Sequence, residues 1–104
     1  LVAQGLSVHI FHAVGTNNVA VGDSALYNNA TNFNVAVGSK ALYLNTLGTQ
    51  NAAFGNRSLY SNTTGDFNTA AGASALDNNT TGDCNTATGL SSLFSNTIIH
   101  KYNR

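Results

Sequence analysis

The chain has 104 residues, four basic and four acidic side chains, and a net charge of zero. That balance argues against a nucleic-acid partner and an anionic membrane surface, both of which select clustered Lys and Arg. The single cysteine, Cys84, excludes an internal disulfide, and no apolar run reaches membrane-spanning length. Solubility must come from Asn, Thr, Ser and Gly.

Taken in order, the chain repeats itself. Residues 1–17 form a degenerate first copy that keeps Ala3, Gly5 and Gly15 but has His9 where later copies have leucine. Its opening, LVAQGLSVHIFHAVG, is apolar but lacks the basic start of a signal peptide. The absence of an initiator methionine suggests a processed product or a fragment. Residues 18–97 hold the regular copies, the first of them one residue short. Residues 98–104, IIHKYNR, run off the pattern as a tail. The best-formed copies are residues 34–50, 51–67 and 68–84, which read NVAVGSKALYLNTLGTQ, NAAFGNRSLYSNTTGDF and NTAAGASALDNNTTGDC. Gly38, Gly55, Gly72 and Gly89 stand 17 residues apart. A fixed period of this size marks a stacked array, and atypical end copies suit its two ends. Residues 1–104 therefore read as one solenoid domain.

Stacking the copies gives columns. One column is alanine: Ala3, Ala20, Ala36, Ala53, Ala70, Ala87. Another is leucine: Leu26, Leu42, Leu59, Leu76, Leu93. Two are asparagine: Asn18, Asn34, Asn51, Asn68, Asn85, and Asn29, Asn45, Asn62, Asn79, Asn96. Within a copy, NVAVG alternates, which predicts a strand with alanine inward. A second strand is expected around Ala41-Leu42-Tyr43 and Ser58-Leu59-Tyr60, continuing into Asn-Thr-Thr. Glycines mark the turns. The fold class that follows is all-β: a parallel β-solenoid, or β-roll, of about six 17-residue coils. Coils spaced about 4.8 Å apart would stack the asparagines into ladders of side-chain amides.

The core of such a coil is thin, one leucine and one alanine. Val19, Val21, Val35, Val37 and Phe54, with Tyr27, Tyr43 and Tyr60, would leave an exposed apolar face on a single chain. A face of that kind marks an interface, so the chain is expected to associate with copies of itself. The threonine rank in the column Ala30, Thr46, Thr63, Thr80, Thr97 is expected outward, and the neighbouring column Thr31, Leu47, Thr64, Thr81, Ile98 inward.

No catalytic arrangement emerges. His9, His12 and His100 form no ligand set, and the serines follow the columns instead of a nucleophile turn. Asp66 and Asp83 stack, which fits either calcium or, preferably, turn capping. Lys40 and Arg57 read as a solvated face. Tyr27, Tyr43, Tyr60, Asp77 and Phe94 form an aromatic column interrupted once. It suits packing against a sister chain more than stacking on a sugar. No catalytic residue, metal ligand or cofactor is assigned.

The unit N-[TV]-A-[VAT]-G-x-x-[AS]-L-[YFD]-x-N-T-T-G-[DT]-x resembles the repeats of phage and bacterial tail-fibre-like proteins. It is similar in style to the head repeats of trimeric autotransporter adhesins. The resemblance rests on the Asn18, Ala20, Gly22, Leu26 and Asn29 columns and the turns Thr63-Thr64-Gly65 and Thr80-Thr81-Gly82. It implies a left-handed roll, three chains side by side, and attachment or adhesion at a cell, virion or other extracellular surface. A host-surface glycan or receptor is the further partner it implies; nucleic acid and membrane insertion are not expected. The leading expectation is thus a non-enzymatic fibre segment. The alternative is a filament subunit stacking end to end, suggested by the apolar start and by Ile98-Ile99. A third reading, from the threonine rank, is an ice-binding solenoid.

Overall fold

The computed structural model describes residues 15–97. Most of the first copy, with His9 and His12, and the tail, with Ile98, Ile99 and His100, lie outside the described residues. Five three-residue strands carry the architecture: β1 Val19–Val21, β2 Val35–Val37, β3 Ala52–Phe54, β4 Thr69–Ala71 and β5 Thr86–Thr88. They pair in parallel and in chain order within one sheet. Each residue lies beside its equivalent in the next copy, as Ala36 beside Ala53 and Val37 beside Phe54. The described residues are all-β with no helix, a parallel β-solenoid of about four turns.

Alternation explains the strands. The central alanine of each is buried and its two neighbours are partly or fully exposed. Ala20, Ala36, Ala53, Ala70 and Ala87 form one wall of the core. Leu26, Leu42, Leu59 and Leu76, with Ala25, Ala41 and Ala75, complete it, and Leu93 packs partly against them. The small alanine lets the leucine side approach closely, so the interior fills without a larger coil.

The chain leaves each strand through a glycine. Gly55 has φ 126°, and a Cβ there would stand 2.7 Å from the carbonyl carbon of Gly72 in the next coil. Both the torsion and the stacking distance require glycine.

The leucine segment is not the second strand expected around Leu42 and Leu59. Lys40, Leu42, Arg57 and Leu59 have φ of 61°, 51°, 61° and 51°. Alternate left-handed residues fold the segment into successive turns, closed by Ala41 N–H to the Gly38 carbonyl at 3.2 Å and Asn45 N–H to the Leu42 carbonyl at 3.3 Å. Other amides of the segment bond between coils. Lys40 N–H donates to the Asp23 carbonyl behind it at 2.9 Å, and Leu42 N–H to the Ser58 carbonyl ahead at 3.0 Å. Ladder bonding therefore persists on a backbone that is not extended.

The Leu47 column also departs from expectation. Leu47 is 63% exposed, Thr64 and Thr81 are exposed, and Thr31 is half-buried. The amides of Thr46, Leu47 and Gly48 all converge on the Thr63 carbonyl, at 3.2, 2.9 and 3.0 Å. That tight corner spends its inward direction on backbone bonding and turns the intervening side chains to solvent. Ile98 of the same column lies outside the described residues.

Candidate functional site

The asparagine columns sit at the two corners of the coil and are bonded differently. In the column of Asn29, Asn45, Asn62, Asn79 and Asn96, each side-chain amide donates to the carboxamide oxygen of the preceding one. The N···O distances are 2.8 Å from Asn45 to Asn29, 2.8 Å from Asn62 to Asn45, 2.9 Å from Asn79 to Asn62 and 3.3 Å from Asn96 to Asn79. In the column of Asn18, Asn34, Asn51, Asn68 and Asn85, the side-chain oxygen accepts from the next coil's backbone. Asn34 N–H reaches Asn18 at 2.8 Å, and Asn68 N–H reaches Asn51 at 2.9 Å. The two columns share an acceptor: the Gly65 carbonyl takes the amides of Asn51 at 2.8 Å and Asn62 at 2.9 Å. This shared acceptor ties the two corners together and makes the second glycine column part of the network.

The column in which Asp66 and Asp83 are expected to stack and cap turns forms a third ladder, running from coil to coil. Thr49 N–H donates to Asp66 Oδ1 and Asp66 N–H to Asp83 Oδ1, each at 2.8 Å. Asn32 does the same for Thr16 N–H at 2.7 Å. The aspartates thus bond the backbone of the preceding coil. Among the described residues no group of three or more His, Cys, Asp or Glu could hold a metal ion.

The aromatic column is an ordered stack. Tyr27 and Tyr43 have ring centroids 5.4 Å apart and Tyr43 and Tyr60 5.3 Å apart, with interplanar angles of 9° and 4°. The next position is Asp77, which is 1% exposed. Arg57 supplies what the column lacks there. Its Cζ lies 3.9 Å from the Tyr60 ring centroid, and Nε and Nη2 fork onto Asp77 Oδ2 and Oδ1 at 3.0 and 3.1 Å. The planar guanidinium continues the stack while neutralising a buried carboxylate. The hydrogen bond to Asp77 also raises the guanidinium pKa above its ordinary value. Arg57 is therefore not a merely solvated charge. The available signal was an Arg followed, in the next coil, by an Asp where the other copies carry an aromatic residue.

The residues expected at an interface fall in two segments of the coil. Val19, Val21, Val35, Val37 and Phe54 flank the buried alanines on the outer face of the sheet, while the tyrosines belong to the turn segment. Val19, Val21, Phe54 and Tyr27 are exposed; Val35, Val37, Tyr43 and Tyr60 are half-buried. From β1 to β3 the outward residues are Val, Ala and Phe; in β4 and β5 they are Thr69, Ala71, Thr86 and Thr88. The apolar part of the sheet face is thus confined to the first three described coils.

No family model, curated protein or solved structure matches this chain. The site must be read from its own geometry. That geometry includes a groove of about 420 Å³ lined by Phe33, Val35, Gln50, Asn51 and Ala52, at the margin of the apolar sheet face. Phe33 and Phe67 stand in one column with Asn17, Gln50 and Cys84, immediately before the buried asparagines. Neither phenylalanine was singled out by the sequence reading.

Proposed function

We propose that the chain is a rigid structural and adhesive module of an extracellular fibre, borne on a cell or virion surface, without catalytic activity. The observation that carries this reading is the outward sheet face. Val19, Val21 and Phe54 are exposed beside a thin core of one leucine and one or two alanines per coil. Burying apolar area stabilises by about 25 cal/mol per Å², so covering this face would add stability that the thin core lacks. Side-by-side association of three chains is the arrangement we infer. It follows the resemblance to tail-fibre and adhesin repeats and gives a closed assembly of fixed width. In this proposal the roll is left-handed and continues through residues 1–17 to about six coils.

Sedimentation velocity of the wild type and Val37→Asp tests the reading. The wild type is expected to sediment as an assembly and the variant as a smaller species, because a charge placed on the face must be desolvated on association. Equal sedimentation of the two proteins would refute the lateral interface. An open-ended series in both would favour end-to-end stacking.

A further inference from the structure

We propose that this chain is made and exported by a route that never exposes it to N-glycosylation, because a glycan and the asparagine ladder compete for the same amide nitrogens. The proposal goes beyond the adhesive reading to the way such a module is produced, and it does not depend on lateral assembly.

The sequence carries five Asn-x-Ser/Thr acceptor triplets, starting at Asn29, Asn56, Asn62, Asn78 and Asn79, and none has proline in the middle. Three of these asparagines are ladder residues. A carboxamide nitrogen has two hydrogens to donate. Asn62 gives one to Asn45 Oδ1 at 2.8 Å and the other to the Gly65 carbonyl at 2.9 Å. Asn79 gives one to Asn62 Oδ1 at 2.9 Å and the other to the Gly82 carbonyl at 3.0 Å. Asn29 donates to the Thr31 carbonyl at 2.7 Å. Asn62 and Asn79 are fully buried, and Asn29 is buried with them.

Glycan transfer from a lipid pyrophosphate forms a bond between Nδ2 and C1 of the sugar. It breaks the C1–O bond to the pyrophosphate and expels one amide proton. The product keeps one hydrogen where the rung uses two, and it carries a bulky sugar. The interior has no room for that sugar. A single carbon added at Gly65 would already collide with Asn62 Oδ1 and with the Gly82 carbonyl of the next coil. Transfer acts on the chain before it folds, so burial in the finished ladder gives no protection. One modified rung separates two coils, and a solenoid coil is held only by its neighbours. Asn56 is different: it is exposed, and its side chain donates to the Ser39 carbonyl at the surface at 3.0 Å. A glycan there is compatible with the fold.

The test expresses the full chain behind a cleavable secretory signal in N-glycosylating eukaryotic cells, with and without an inhibitor of lipid-linked oligosaccharide synthesis. The same chain from a bacterial cytoplasm supplies the reference fold. Mass spectrometry maps site occupancy in the secreted, protease-resistant fraction and in the retained, protease-sensitive one. Glycans on Asn62 or Asn79 are expected in the retained fraction alone, with loss of secreted folded chain that the inhibitor reverses. Thr64→Ala combined with Thr81→Ala removes both triplets through exposed threonines and leaves both asparagines in place. This double variant should raise the yield of secreted folded chain without inhibitor, while its bacterial product melts like the wild type. Secreted, protease-resistant chains bearing a glycan on Asn62 or Asn79 would overturn the proposal. Efficient secretion of folded wild type with both sites unmodified would also overturn it, because the glycosylating route would then be open to this chain.

Discussion

Replacing Asn62 by alanine isolates the contribution of the amide ladder. Asn62 is fully buried and its side chain takes part in three hydrogen bonds: it donates to Asn45 Oδ1 at 2.8 Å and the Gly65 carbonyl at 2.9 Å, and accepts from Asn79 Nδ2 at 2.9 Å. Two of the partners keep alternatives, because Gly65 still receives Asn51 and Asn79 still donates to the Gly82 carbonyl. Asn45 Oδ1 loses its donor and stays buried. Net contributions of about 1 kcal/mol for each of the three bonds, with a further 1–3 kcal/mol for the orphaned oxygen, give a loss of about 4–6 kcal/mol. That is a large share of a stability of about 5–15 kcal/mol. The control is Asn56→Ala, whose exposed amide donates to the Ser39 carbonyl at 3.0 Å. Its cost should stay within about 0.5 kcal/mol. Equilibrium urea unfolding followed by circular dichroism, at one fixed protein concentration, reads both. If Asn62→Ala lies within about 1 kcal/mol of Asn56→Ala, the ladder is not what holds the coils together.

Three further outcomes follow from the same geometry. Arg57→Ser should cost about 1–3 kcal/mol because it strips a buried carboxylate of its partner; Asp77→Tyr in that background should recover most of the loss by continuing the tyrosine stack, and an additive double variant would contradict the coupling. Gly55→Ala should lower the melting temperature far more than Gly89→Ala, since a Cβ at 55 meets the next coil and one at 89 meets nothing within 4 Å among the described residues; equal shifts would place the effect in the torsion alone. Deleting residues 51–67 removes one whole coil and should leave a cooperative, shorter solenoid, whereas deleting residues 51–58 should unfold it; a folded half-coil deletion would break the stacking account.

Much of this structure was legible because a solenoid places equivalent residues over one another. The alanine, leucine and asparagine columns needed only the period and the polarity of each position. The turn segment was not legible, because the left-handed torsions at Lys40 and Arg57 go with inter-coil hydrogen bonds, to the Asp23 and Ser39 carbonyls, and not with the residues' own preferences. Leu47 misled for a similar reason: hydrophobicity suggested burial, but the three amides at its corner converge on one carbonyl and leave its side chain outside. The Arg57–Asp77 pair was missed because it runs diagonally, joining residues 20 apart in a chain whose period is 17. A reading by columns sees vertical neighbours only. Phe33 and Phe67 escaped notice because their column mixes Asn, Phe, Gln and Cys, and its common feature is a torsion.

Lateral assembly is the central functional claim, and small-angle X-ray scattering of the wild type at micromolar concentration tests it most directly. The single chain has a Cα radius of gyration of 12.3 Å and a mass of 10.8 kDa. The account predicts forward scattering of three chains and a clearly larger radius, both constant on dilution. Scattering from one chain, with a radius near that of the monomer, would contradict it.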